Sequence, residues 1–140
     1  MTSKPLKSIA ADSNVLLSAV IGKAALKIFT QTKLEILTTV FNIEEIEEYL
    51  PCLGAKYGMD IKQLWVQFKM LPVRTIEVDE YKIKLPIAKE HIGQRDADDI
   101  HLAALALAKG IPIWSNDRDF ENIPDVIACP TAKLLKLFNL

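Results

Sequence analysis

Long hydrophobic runs are missing from this chain of 140 residues: the longest, Leu102 to Ala108, falls far short of the ~20 residues that span a bilayer, which excludes a transmembrane helix. Cysteine is scarce. Cys52 and Cys129 are far apart and in no metal-ligand spacing, so each is expected to be a small buried apolar residue, neither half of a disulfide nor a nucleophile. The two histidines, His91 and His101, form no zinc motif, and His101 is expected as a polar residue on a helix side. There is no glycine-rich phosphate cradle and no nucleophile elbow. Excess charge is lacking as well, the formal net charge being −1, so no overall positive field attracts nucleic acid or anionic lipid. Any such affinity must be local. Lys23, Lys27, Lys33, Lys82, Lys84, Lys89, Arg95 and Arg118 could form a rim or an ordinary solvated face. The start, Met1-Thr2-Ser3-Lys4-Pro5, has no apolar stretch after its charge; the expectation is a cytoplasmic protein without a secretory signal and without membrane contact.

The composition is half hydrophobic and one quarter charged, enough apolar material for a substantial core in one domain covering residues 1–140. Ser8 to Ala11 reads as a buried strand running into Asp12. Val15 to Val20 and Ala25 to Phe29 read as helical, interrupted at Gly22, and Leu34 to Thr38 as a second strand. Asn42 is expected to open a helix with Ile43, Ile46, Tyr49 and Leu50 on one face, ended by Pro51 with Gly54 and Gly58. Ile61, Leu64, Trp65, Phe68 and Leu71 make an apolar helical stripe closed by Pro72, which Val66 and Met70 widen enough to suggest a homodimer face. Arg74 to Val78 alternates as a third strand. The segment Asp79 to His91 is expected to be helical with a kink or break at Pro86. Asp98 to Lys109 is a strong helix stopped by Gly110 and Pro112, Ile113 to Ser115 and Val126 to Ala128 read as strands, and Thr131 as the cap of a helix from Ala132 to Phe138. Strands separated by helices need crossovers, so the fold class is α/β, a three-layer α/β/α arrangement on a mainly parallel sheet.

Ligands of open parallel sheets bind beyond the carboxyl ends of the strands. Asp12 follows the first strand, and Asp117 and Asp119 follow the strand at Ile113 to Ser115. Asp96, Asp98 and Asp99 crowd the start of the alanine-rich helix, and Glu45 lies in the first turn of the helix after the second strand. Crowded carboxylates repel unless protons or a cation neutralise them, and an all-oxygen set suits Mg²⁺ or Mn²⁺. Each acid also has a structural reading. Asp96 with Asp99, and Asn42 with Glu45, have cap-like spacing; Glu44, Glu47 and Glu48 read as a solvated face; Asp12 alone reads as a turn residue. Helical periodicity puts Glu45 and Glu47 on opposite shoulders of the apolar stripe, so spacing does not choose between them.

Three segments, Ala11 to Ala19, Arg95 to Ala106 and Pro112 to Phe120, resemble in order and separation the three acidic motifs of PIN domains. The resemblance implies a sheet of about five parallel strands, frequent homodimers, and catalytic acids at Asp12, Glu45, Asp99 and Asp117. It further implies Asp96 and Asp119 as supporting acids at the metal, with Ser115 steadying the site and Asn14 hydrogen-bonding in the same pocket. The implied function is a Mg²⁺- or Mn²⁺-dependent endoribonuclease, in which a metal-activated water attacks a phosphodiester of RNA in line. Two roles follow from the likeness: a VapC-type toxin held by a cognate antitoxin, or a stand-alone RNA-processing nuclease. The rival is a catalytically silent RNA-binding or protein-interaction module on the same fold, which need not bind a divalent ion at the acids. A phosphotransfer receiver domain would need a phospho-acceptor after a central strand and a late lysine, a pattern the sequence does not present.

Overall fold

A computed structural model describes residues 5–93 and 97–140. Five strands form one parallel sheet: β1 (Ser8–Ala11), β2 (Glu35–Thr39), β3 (Val73–Ile76), β4 (Ile113–Trp114) and β5 (Ala128–Cys129), in the spatial order β3-β2-β1-β4-β5. The central register pairs Ala10 with Leu37 on one side and with Ile113 on the other. Side chains of a strand alternate between faces, and here the alternation divides the core in two. Ile9, Ala11, Ile36 and Trp114 join one cluster, and Ala10, Leu37 and Ile113 the other. The expected three layers follow from this two-sided burial.

On the first face lie α1 (Ser13–Val20), α2 (Ala25–Gln31), α3 (Val40–Tyr57), α4 (Ile61–Met70) and α7 (Thr131–Leu137), contributing Val15, Ile28, Ile46, Leu64 and Leu134 to the cluster around Trp114. The other face is covered by α6 (Ala97–Lys109) and α5 (Leu85–Ile92), with Leu102 and Leu105 against the sheet. Among the described residues no single helix is long and apolar enough to cross a membrane. On α4, Leu64 and Phe68 are buried as the stripe requires, while Val66 and Met70 stay exposed.

Several local expectations are corrected. Helix α3 starts earlier, capped by Thr39, whose Oγ1 accepts from the Asn42 amide, and it runs 18 residues through Pro51 to Gly58. Proline inside a helix leaves the carbonyl four residues back without its donor. That carbonyl belongs to Glu47, which is exposed, so water can serve it. The true stop is Gly58, at φ 63°, preceded by Gly54, where a Cβ would sit 2.8 Å from the Met59 carbonyl oxygen. Pro86 neither kinks nor breaks a helix. Short 3-10 turns occupy Val78–Glu80 and Lys82–Lys84, and Pro86 lies in the first turn of α5, where its missing N–H costs nothing. Strand β5 lies two residues later than expected at its start. Thr131 caps nothing with its side chain: its hydroxyl accepts from Trp114 Nε1 at 2.9 Å, and its own amide donates to Asn116 Oδ1 at 2.9 Å. Cys129 is buried but Cys52 is exposed.

Candidate active site

Two neighbouring strands at the centre of the sheet, β1 and β4, end side by side, the Asp12 amide donating to the Trp114 carbonyl at 3.0 Å. Asp12 leaves the sheet with extended backbone as the cap residue of α1, and it is only 6% exposed. Ser115 follows β4. Its Oγ donates to Asp12 Oδ2 at 2.9 Å and accepts from the Asp117 amide at 3.0 Å, so one buried hydroxyl ties the two loops together. Asp117 in turn holds the next turn, its Oδ1 accepting from the Asp119 amide at 2.9 Å. Sequence positions more than a hundred residues apart thus meet at one sheet edge.

Burial raises the pKa of Asp12 above the usual carboxylate value, and the charges of Asp117 and Asp98 push the same way. The Ser115 hydroxyl and the Ser13 amide pull against them. Asp98, in the first turn of α6, is itself raised by burial and by the charge of Glu44. The charged form of Asp12 is therefore held where its surroundings disfavour it, a conflict that a proton or a cation would relieve.

A second polar cluster stands beside it. Thr39 Oγ1 donates to Asn42 Oδ1 at 2.6 Å, and Asn42 Nδ2 donates to Ser13 Oγ at 2.9 Å, all three residues being essentially inaccessible. Thr38 Oγ1 donates to the Ala11 carbonyl at 2.9 Å. These bonds lock the start of α3 to the start of α1 and so fix the direction in which the chain carries Asp12.

The expected residues are placed as follows. Asp12, Ser115 and Asp117 come together directly. Asp98, one of the three acids noted at the head of α6, has a charge that reaches Asp12. Asp99 lies half-buried in the same turn, Asp119 follows Asp117 on the exposed loop, and Asp96, like Arg95, lies outside the described residues. Glu45 is half-buried and shares a shallow cleft of about 270 Å³ with Asn14, Leu17 and Tyr49, whereas the exposed Glu44 is the helical acid beside Asp98. Among the described residues no three acidic, histidine or cysteine side chains close into a finished cation cage. The donor chemistry nevertheless fits a hard divalent ion: a buried carboxylate with acidic neighbours and a fixed hydroxyl.

Residues 11–123 match the PIN domain profile. The chain belongs to the PIN-domain family. Proteins of this family are generally nucleases that use divalent metal ions. The fold is similar to a chain in the crystal structure of VapBC2 from Rickettsia felis bound to a DNA fragment from their promoter. The two share 15% identity at a TM-score of 0.64, and the match covers 88% of this chain and 98% of that one. Among curated proteins none matches this sequence.

For this PIN domain, sequence reading passed over two features. Glu44, read as part of a solvated face and indeed exposed, has a charge that reaches Asp98, and the Thr39–Asn42–Ser13 network beside Asp12 was not singled out. The network had a signal, since threonine three residues before asparagine at a strand-to-helix boundary has capping spacing. Glu44 had none: neighbouring helix positions differ by about 100° in direction, and only the packing of α3 shows which acid faces α6.

Proposed function

We propose that this PIN domain is a Mg²⁺- or Mn²⁺-dependent endoribonuclease. The observation that carries the reading is the Ser115 hydroxyl joining buried Asp12 to the Asp117 loop at the ends of β1 and β4. Asp12, Glu45, Asp99 and Asp117 are assigned as catalytic metal-holding acids, with Asp96 and Asp119 in support. Asp98, beside Asp99 in the first turn of α6, and Glu44, whose charge opposes that of Asp98, are to be tested with the set. A divalent ion bound there would lower the pKa of a water and offset charge developing on the phosphate. Ser115 holds Asp12 in one orientation, Asn14 offers a hydrogen bond at the rim, and the neutral network below prevents the acids from relaxing apart.

Purified protein is expected to cut single-stranded RNA when Mn²⁺ or Mg²⁺ is supplied, and Asp12→Asn to lose that activity while keeping its circular-dichroism spectrum. Undiminished cleavage by the variant, or by the wild type in excess chelator, overturns the assignment. A calorimetric titration with Mn²⁺ separates it from a silent binding module, since such a module has no reason to bind the ion at these acids.

The partner reading is a toxin role with an antitoxin chain, and a homodimer. It is supported by the similarity of the fold to a chain of the VapBC2 complex and by an apolar groove of about 280 Å³ between α1, α2 and α4, beside exposed Val66 and Met70. Light scattering of the pure protein tests the dimer, and co-expression with a small neighbouring reading frame tests the antitoxin.

A further inference from the structure

An acid site repels the very polyanion it is proposed to cut, and this chain has no net positive charge to compensate. Somewhere close to the acids a substrate strand needs cations. One cleft supplies them: a depression of about 630 Å³ between α5 and the first turns of α6, with Lys82, Lys89 and His101 beside the apolar surface of Leu85, Pro86 and Ile100. It begins at Ala97, the residue before Asp98, so the cleft and the acid site share the opening turn of α6.

The histidine is prepared for donation. Tyr81, fully buried, has the His101 Nδ1 atom as its hydroxyl partner among the described residues, at 2.6 Å. Burial pushes the Tyr81 hydroxyl up to about 12, so the phenol keeps its proton and has it to donate. A buried hydroxyl that donates to Nδ1 puts the single imidazole proton on Nε2. The ring is held further by Phe41, its centroid 4.0 Å away, and by the edge-on Tyr81 ring. A helix-side polar residue would need none of this support. Lys82 is paired with Asp79 at 3.3 Å, but both are well exposed, and such a pair is readily exchanged for a phosphate.

We propose that this cleft is the track for the RNA strand adjoining the scissile bond, with Lys82 and Lys89 holding a backbone phosphate and His101 donating a hydrogen bond from Nε2. The apolar wall of Leu85, Pro86 and Ile100 then faces a base or ribose. The assignment rests on the nuclease reading for its substrate, and its test does not use cleavage. A fluorescein-labelled single-stranded RNA is titrated with full-length protein in EDTA, by fluorescence anisotropy, at several salt concentrations.

The double variant Lys82→Ala/Lys89→Ala is expected to bind about 10-fold more weakly at low salt, with a log–log salt slope smaller by roughly one. His101→Phe, which keeps the ring on Phe41 but removes the donor, is expected to weaken binding several-fold with the slope unchanged. The control Lys27→Ala/Lys33→Ala removes the same charge from the opposite face of the sheet and is expected to bind like the wild type. Equal losses in control and cleft pairs, or an unchanged affinity and slope in the cleft pair, overturn the proposal. If cleft variants alone lose RNA while the wild type cuts none in Mn²⁺, the nuclease reading falls and the track remains. If the wild type cuts and the cleft pair binds normally, the track falls and the nuclease remains.

Discussion

Two polar clusters occupy neighbouring places at the same edge of the sheet, and they differ in how completely their demands are met. Thr39, Asn42 and Ser13 are neutral, buried, and matched donor to acceptor. Asp12 is buried too, yet among the described residues its charge is opposed by Asp98 and Asp117 and eased by Ser115 and the Ser13 amide. A closed neutral network needs nothing from outside and serves the fold. An anion kept beside other anions is a cost that folding alone does not justify, which is the ground for the ligand proposed there.

That contrast can be broken in order of effect. The largest change is expected for Asp12→Asn: at least ~10²-fold loss of RNA cleavage, the scale of one preorganised electrostatic contact, combined with an unchanged or higher melting temperature without metal. A clear fall in melting temperature would place Asp12 with the structural cluster instead. Next comes Asn42→Ala, which removes the side-chain partner of the Thr39 and Ser13 hydroxyls and should cost about 1–3 kcal/mol in urea unfolding. Cleavage by the fraction that remains folded should change little beside the Asp12 effect.

Ser115→Ala belongs to both clusters in kind, since it removes a buried bond and frees the carboxylate of Asp12, the proposed catalytic acid. About 1 kcal/mol of stability and roughly 10-fold in rate are expected, read from the same denaturation and cleavage assays. Glu44→Gln and Glu45→Gln, compared with each other, sharpen the site: a larger rate loss for the first assigns the helical acid to the side chain facing Asp98. The smallest effect is on pH. Asp12 and Asp98 bind protons more tightly folded than unfolded, so metal-free stability should decline as pH rises from the ordinary carboxylate value through their higher folded values. Asp12→Asn should flatten that decline, and a stability that rises over this interval would contradict the burial argument.

Much of the architecture was legible because its signals are local. Ser8 to Ala11 is too short and too apolar for anything but a buried strand, and the alanine-rich stretch ending at Gly110 is a helix by propensity and stop. Pro51 and Pro86 were misjudged for the same reason. A proline reports a missing N–H, but whether that loss matters depends on where the helix begins and on whether water reaches the orphaned carbonyl. Of the site, Asp12 and Asp117 could be placed from strand ends alone. Glu45 against Glu47 could not be decided, because helical periodicity put them on opposite shoulders of one apolar stripe, and Asp99 rested on the resemblance.

The amino-acid order by itself settled which segments become strands and helices, that the sheet is parallel, and that carboxylates gather at its carboxyl edge. Those outcomes depend on side-chain period, propensity and chain connectivity, which act over a few residues. The hydroxyl bridge from Ser115 to Asp12, the Thr39–Asn42–Ser13 lock and the Tyr81–His101 pair were decided only by the folded arrangement. Each joins elements distant in sequence or selects one direction around a helix, and such choices are made by packing against the rest of the core.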